Sequence, residues 1–141
     1  MRTNQTQLKA LQAEVHPFCL VCSGSNPYGL ALQFEVAPDG ILSAAFQANP
    51  VLEGYQGLLH GGITASLLDG AMTNCLFAQG IVALTAELRI RYFTPVLIGS
   101  EIRLRAWIQE RHPPLYQVQA ELTQEDCVRA AASAKFMERH E

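Results

Sequence analysis

Residues 53–73, EGYQGLLHGGITASLLDGAMT, put a histidine, two adjacent glycines and a carboxylate into one short run. His60, Gly61 and Gly62 stand where an apolar, helix-periodic segment begins. The first N–H groups of a helix have no partner within it and lie at the positive end of its dipole. Such an end holds an oxyanion well, and glycine lets a carbonyl group approach the backbone closely. The N–H of Gly61 or Gly62 is therefore a candidate oxyanion donor, and a plain loop-to-helix turn is the other reading. Asp69 is the second candidate. It lies nine residues after His60, inside an otherwise apolar helix, between Leu68 and Gly70. A carboxylate there is costly unless it is paired or faces a cleft. Burial raises a carboxylate pKa toward that of a general base, and desolvation sharpens a nucleophile. The competing reading leaves Asp69 on a single wet stripe of the helix.

The elements that must position these groups follow from periodicity. Ile63, Leu67, Ala71 and Cys75 recur every four residues, so a helix is expected over 62–78, apolar nearly all round and hence buried. Gln79-Gly80 ends it. Upstream, alternation predicts a strand over 30–36, a turn at Pro38-Asp39-Gly40 and a second strand over 41–47. Downstream, four strands are expected at 82–93, 101–109, 116–123 and 127–137, a four-strand meander in which the last three, joined by short connections, are antiparallel neighbours. Residues 1–15 read as a short amphipathic helical appendage, and 16–141 as a single domain. The architecture is α+β, a mostly antiparallel sheet wrapped around one long helix.

Composition narrows the function. The chain has 141 residues, 49% of them hydrophobic, with a net charge of −3 and four cysteines. No basic field points to nucleic acid, and no apolar run is long enough for a membrane helix. A cytoplasmic location with reduced thiols is expected. His16-x-x-Cys19-x-x-Cys22 has metal-like spacing, but a structural zinc site takes four ligands and no further pair is near in sequence. The expectation is no metal and a thiol pair packed in the loop. Arg89 and Arg91 share one face of a strand. They are candidates for phosphate recognition through the guanidinium fork, or a solvated sheet face. No G-x-S-x-G elbow surrounds Ser66, which argues against a serine hydrolase. No phosphate-cradling or dinucleotide fingerprint is present.

Residues 57–72, GLLHGGITASLLDGAM, resemble the hotdog-fold thioesterases of the phenylacetate-pathway (PaaI-like) type. The segments 19–30, CLVCSGSNPYGL, and 85–96, TAELRIRYFTPV, are similar to others in that family, so the resemblance covers most of 19–137. It implies a hotdog fold and hydrolysis of an acyl-coenzyme A thioester, with coenzyme A as part of the substrate and no other cofactor. It implies a homodimer or homotetramer in which Asp69, as nucleophile or general base, serves a thioester held by the other subunit's turn. Gly61 would supply the oxyanion N–H, with Gly62 beside it. His60 would orient the turn or polarise the carbonyl, and Thr85 would position water near the carboxylate. Many relatives carry Asn or Gln six residues before the histidine, where this chain has Gly54. Gln56 is the nearby amide that would substitute if the loop were re-registered. The rival functions are a non-hydrolytic acyl-CoA binding or sensing module and a hotdog hydratase or dehydratase.

Overall fold

A computed structural model describes residues 3–139. Helix α1 (Asn4–Val15) is capped by Thr3, whose hydroxyl accepts the Thr6 N–H at 3.1 Å. Strands β1 (Glu35–Val36) and β2 (Leu42–Gln47) precede the long helix α2 (Gly61–Ala78). Strands β3 (Ala83–Tyr92), β4 (Glu101–His112), β5 (Leu115–Gln124) and β6 (Cys127–Glu138) follow it. One six-stranded sheet has the order β1-β2-β4-β5-β6-β3, with antiparallel pairing throughout.

The expected four-strand meander is corrected to three strands. β4, β5 and β6 are consecutive neighbours, but β3 pairs with β6 at the far edge and β4 pairs with β2. Helix α2 thus carries the chain across the width of the sheet. A helix apolar on almost every side needs sheet on more than one side of it. Twelve of its residues, from Thr64 to Ala78, are buried. The sheet comes close because a row of alanines, Ala106, Ala120 and Ala132, runs across β4, β5 and β6 on the buried face.

The strand expected over 30–36 is present only at Glu35–Val36. Ala31 takes a positive φ of 51°. The Leu30 N–H donates to Leu20 O at 2.7 Å, and the Leu32 N–H to Val21 O at 2.9 Å, so this segment pairs with the preceding loop. The Gln5 amide from α1 then serves as the next partner, donating to Phe34 O and accepting from the Val36 N–H. The apolar alternation persists, since Leu32 and Phe34 are buried. Periodicity reports which side chains go inward, not which backbone groups form a ladder.

Helix α1 lies against α2. Leu8 is wholly buried, and Gln12 Nε2 donates to Asn74 Oδ1 at 2.8 Å. The loop over 16–29 also packs on α2, so close that a Cβ on Gly70 would meet Val21 Cγ1 at 2.5 Å. Gly70 is thus required by close approach. Among the described residues, no helix is long and apolar enough to cross a membrane.

Candidate active site

The approach to α2 is built from short local contacts. The Gly57 N–H donates to Glu53 Oε1 at 2.8 Å, and the Gly54 N–H to Leu58 O at 2.9 Å. His60 is the N-cap, with φ −60° and ψ 134°, and its Nδ1 accepts the Gly62 N–H at 2.9 Å. An accepting Nδ1 leaves the proton of the neutral ring on Nε2. This uses the Gly62 N–H. The Gly61 N–H has no acceptor among the described residues, while Gly61 O accepts from Tyr92 Oη at 2.8 Å. Of the two candidate oxyanion donors, Gly61 therefore has the available N–H, at an exposed helix start. Sequence reasoning missed Tyr92, which anchors that turn from β3, because its facing depends on an irregularity described below.

Asp69 is half-buried on α2, and Thr85 Oγ1 donates to its Oδ1 at 2.7 Å. The contact depends on a bulge in β3. Thr85 pairs with Phe136 and Glu87 with Lys135, so Ala86 is extra and the strand changes facing there. Thr85 thereby faces the helix, whereas Glu87, Arg89 and Arg91 face away from it. Tyr92, of opposite parity to Thr85, returns to the helix side to reach Gly61.

Eight residues separate Gly61 from Asp69 on one helix, which places them about 12 Å apart along its axis. Within one chain they do not meet at a single carbonyl carbon. The structure brings His60 together with Gly61 and Gly62, and Asp69 together with Thr85, as two separate groups.

The remaining candidates lie elsewhere. Gln56 is exposed and lines neither cavity at the helix start. Gly54 is backed by His60, since a Cβ there would lie 3.2 Å from His60 Cα and 3.4 Å from its Cδ2. The position where relatives carry an amide is thus crowded by the histidine. Arg89 pairs with Glu87 at 3.0 Å on the outward face, and both are well exposed. Arg91, on the same face, forms no ion pair among the described residues. Cys75 is no nucleophile, because burial pushes its thiol up to about 12.

Two cavities flank the turn. One of about 270 Å³ is lined by Tyr55, Leu58, Gly61, Tyr92, Phe93 and Val96. Another of about 330 Å³ is lined by Val51, Leu52, Glu53, His60, Gly62 and Ile63. The first is mainly apolar and aromatic and includes Gly61 in its lining.

One antiparallel sheet wrapped around a long central helix defines a hotdog domain. Residues 56–131 match the thioesterase superfamily, and the chain belongs to that family. It is 35% identical over 65 residues to acyl-coenzyme A thioesterase THEM4 of Bos taurus, covering 46% of this chain and 26% of that protein. It is also 35% identical over 69 residues to acyl-coenzyme A thioesterase 13 of Mus musculus, covering 48% of this chain and 49% of that one. The matched part is therefore about half or less of each relative's length. A solved structure of a mutant of the phenylacetic acid degradation protein PaaI from Thermus thermophilus superposes with a TM-score of 0.71. At 22% identity, over 78% of this chain and 95% of that one, it is alike in fold.

Proposed function

We propose that this protein hydrolyses an acyl-CoA thioester to a carboxylate and free coenzyme A, at sites built between two copies of the chain. The observation that carries the reading is the pairing of a half-buried carboxylate, Asp69, with the Thr85 hydroxyl, on the same helix whose start offers an unused N–H at Gly61. Both groups suit acyl transfer, and their separation of about 12 Å requires that each serve a different site. The thioester carbonyl oxygen accepts from Gly61 of one copy. Asp69 of the other takes a proton from a water that attacks the carbonyl carbon, or attacks that carbon itself to form a mixed anhydride that water then hydrolyses, restoring the Asp69 carboxylate. Thr85, bonded to the carboxylate, helps place that water. The C–S bond breaks, and the departing thiolate of coenzyme A takes up a proton. His60 holds the turn through its bond to Gly62.

The assembly is supported by β3, a ten-residue edge strand with no partner on its outer side among the described residues. Leu84 and Tyr92 on it are more than half exposed, at 55% and 54%. A long, exposed apolar edge is a template for pairing with another strand, here that of a second copy. Arg89 and Arg91 are then the cations that β3 offers to the coenzyme A phosphates. The reaction as written calls on no metal or redox group.

The test is thiol release across a panel of aryl-, short- and medium-chain acyl-CoAs. It is run on a Cys127→Ser background, because Cys127 is exposed and would itself react with a colorimetric thiol reagent. Release with turnover supports the reading. Saturable acyl-CoA binding without release would replace it with a binding module, and hydration of an enoyl-CoA would replace it with a hydratase.

Thr85→Val should lower kcat about tenfold, the scale of one hydrogen bond to a charged group, with KM little changed. Thr85→Ser should keep most of the rate. Equal rates for Val and Ser would remove the Thr85 hydroxyl from the mechanism.

A further inference from the structure

Outside this site, one cluster of chemically capable side chains is assembled by the tertiary structure. His16, at the C-cap of α1, and Cys19 and Cys22, in the loop that follows, place their ligand atoms within 4.8 Å of one another. All three are half-buried and thus open to solvent on one side. Chain spacing argues against zinc because a fourth ligand is missing. A zinc ion held by three protein groups keeps a fourth position for water, so three suffice where that side is open.

The distances fit a metal. Sulfur at about 2.3 Å and imidazole nitrogen at about 2.0–2.1 Å around a tetrahedral zinc ion lie about 3.6 Å apart. Cys22 Sγ and His16 Nδ1 are separated by 3.6 Å. One backbone donor already reaches the sulfurs. The Val21 N–H donates to Cys19 Sγ at 3.3 Å. Donors to the sulfurs are the outer-shell contacts that orient and stabilise metal-bound thiolates. The His16 ring is fixed edge-on against Phe77 of α2, with centroids 4.8 Å apart. Two sulfurs and one imidazole are a soft donor set that suits zinc rather than calcium or magnesium.

We propose that His16, Cys19 and Cys22 form a zinc site with one water-filled coordination position, closing the end of α1 onto the loop that follows it. Its place beside α2 is set by the loop's contact with Gly70 and by the His16 ring against Phe77. A bound ion would brace the loop that packs on that face of α2 without touching the reacting atoms.

The experiment uses the reduced full chain, dialysed against a zinc buffer with a competing chelator, with metal measured by plasma mass spectrometry. One zinc per chain is expected, with a higher unfolding midpoint than the chelator-stripped protein. Cobalt added to stripped protein should give thiolate-to-metal charge-transfer absorption and the visible bands of a tetrahedral ion. Cys22→Ser and His16→Asn should weaken uptake by more than about 100-fold, beyond the roughly 10- to 100-fold loss of an outer-shell contact. Cys127→Ser should leave uptake unchanged, and metal content is read without any substrate, so this result stands apart from any thioesterase assay. The cobalt spectrum is read on the wild-type chain and holds even if a variant fails to fold. Folded, reduced wild type that takes up no zinc would overturn the proposal and leave a thiol–imidazole hydrogen bond. So would uptake that survives both Cys22→Ser and His16→Asn.

Discussion

Asp69→Asn should lower kcat for a good acyl-CoA substrate by about 10²- to 10⁴-fold, the range of a lost general base. The replacement keeps the shape of the side chain and the Oδ1 that accepts from Thr85 at 2.7 Å, so the helix and its neighbours have no reason to move. What disappears is the negative charge and the capacity to take a proton or attack a carbonyl carbon. KM should change by no more than a few-fold, because the carboxylate acts in the transition state rather than in holding the acyl chain. Steady-state kinetics, with circular dichroism and sedimentation to confirm fold and assembly, decide the matter. A variant that keeps more than half of the wild-type kcat would remove Asp69 from the chemistry.

Gly61→Pro should cost about 10²- to 10³-fold in kcat, the effect of deleting one oxyanion donor. Proline removes the N–H and is well tolerated as the first residue of a helix. His60, at φ −60° and ψ 134°, already has the extended conformation that a following proline demands. There is room for added carbon, since a Cβ at Gly61 would meet nothing closer than Tyr92 Oη at 3.7 Å. Gly61→Ala keeps the N–H and should stay close to wild type, so the pair separates the donor from bulk. The two inactive variants also test the shared site. Co-refolding Asp69→Asn with Gly61→Pro in equal amounts makes mixed dimers, each with one intact site when Gly61 and Asp69 come from different chains. Activity should return to about a quarter of wild type, as random pairing gives half of the dimers one good site of two. No recovery from demonstrably mixed dimers would place both groups in one chain's site and contradict the 12 Å separation.

Much of this was legible along the chain because it rests on local physics. The apolar period of α2, its opening at His60-Gly61-Gly62 and its stop at Gly80 are helix signals contained in a few adjacent residues, and the helix starts within one residue of expectation. The strands after it declare themselves by alternation and by the breakers between them. The candidate residues were legible too, since a carboxylate among apolar residues and glycines at a helix start are anomalies visible in one dimension.

The tertiary structure decided what depends on partners distant in sequence. Strand order was hidden because β3 could extend the meander or close the opposite edge, and only the burial of α2 selects between them. The bulge at Ala86 was hidden as well. A strict period of two would give Thr85 and Arg89 the same facing, and one inserted residue sends Thr85 to Asp69 and the arginine outward. That the Gly62 N–H is taken up and the Gly61 N–H is not follows from a hydrogen bond to His60 that residue types alone do not specify. The gathering of His16, Cys19 and Cys22 followed the same rule. Sequence set which groups the chain carries and which elements bear them. Packing of α1 and the loop against Gly70 set which groups meet, because contact between distant segments depends on the whole core rather than on any local preference.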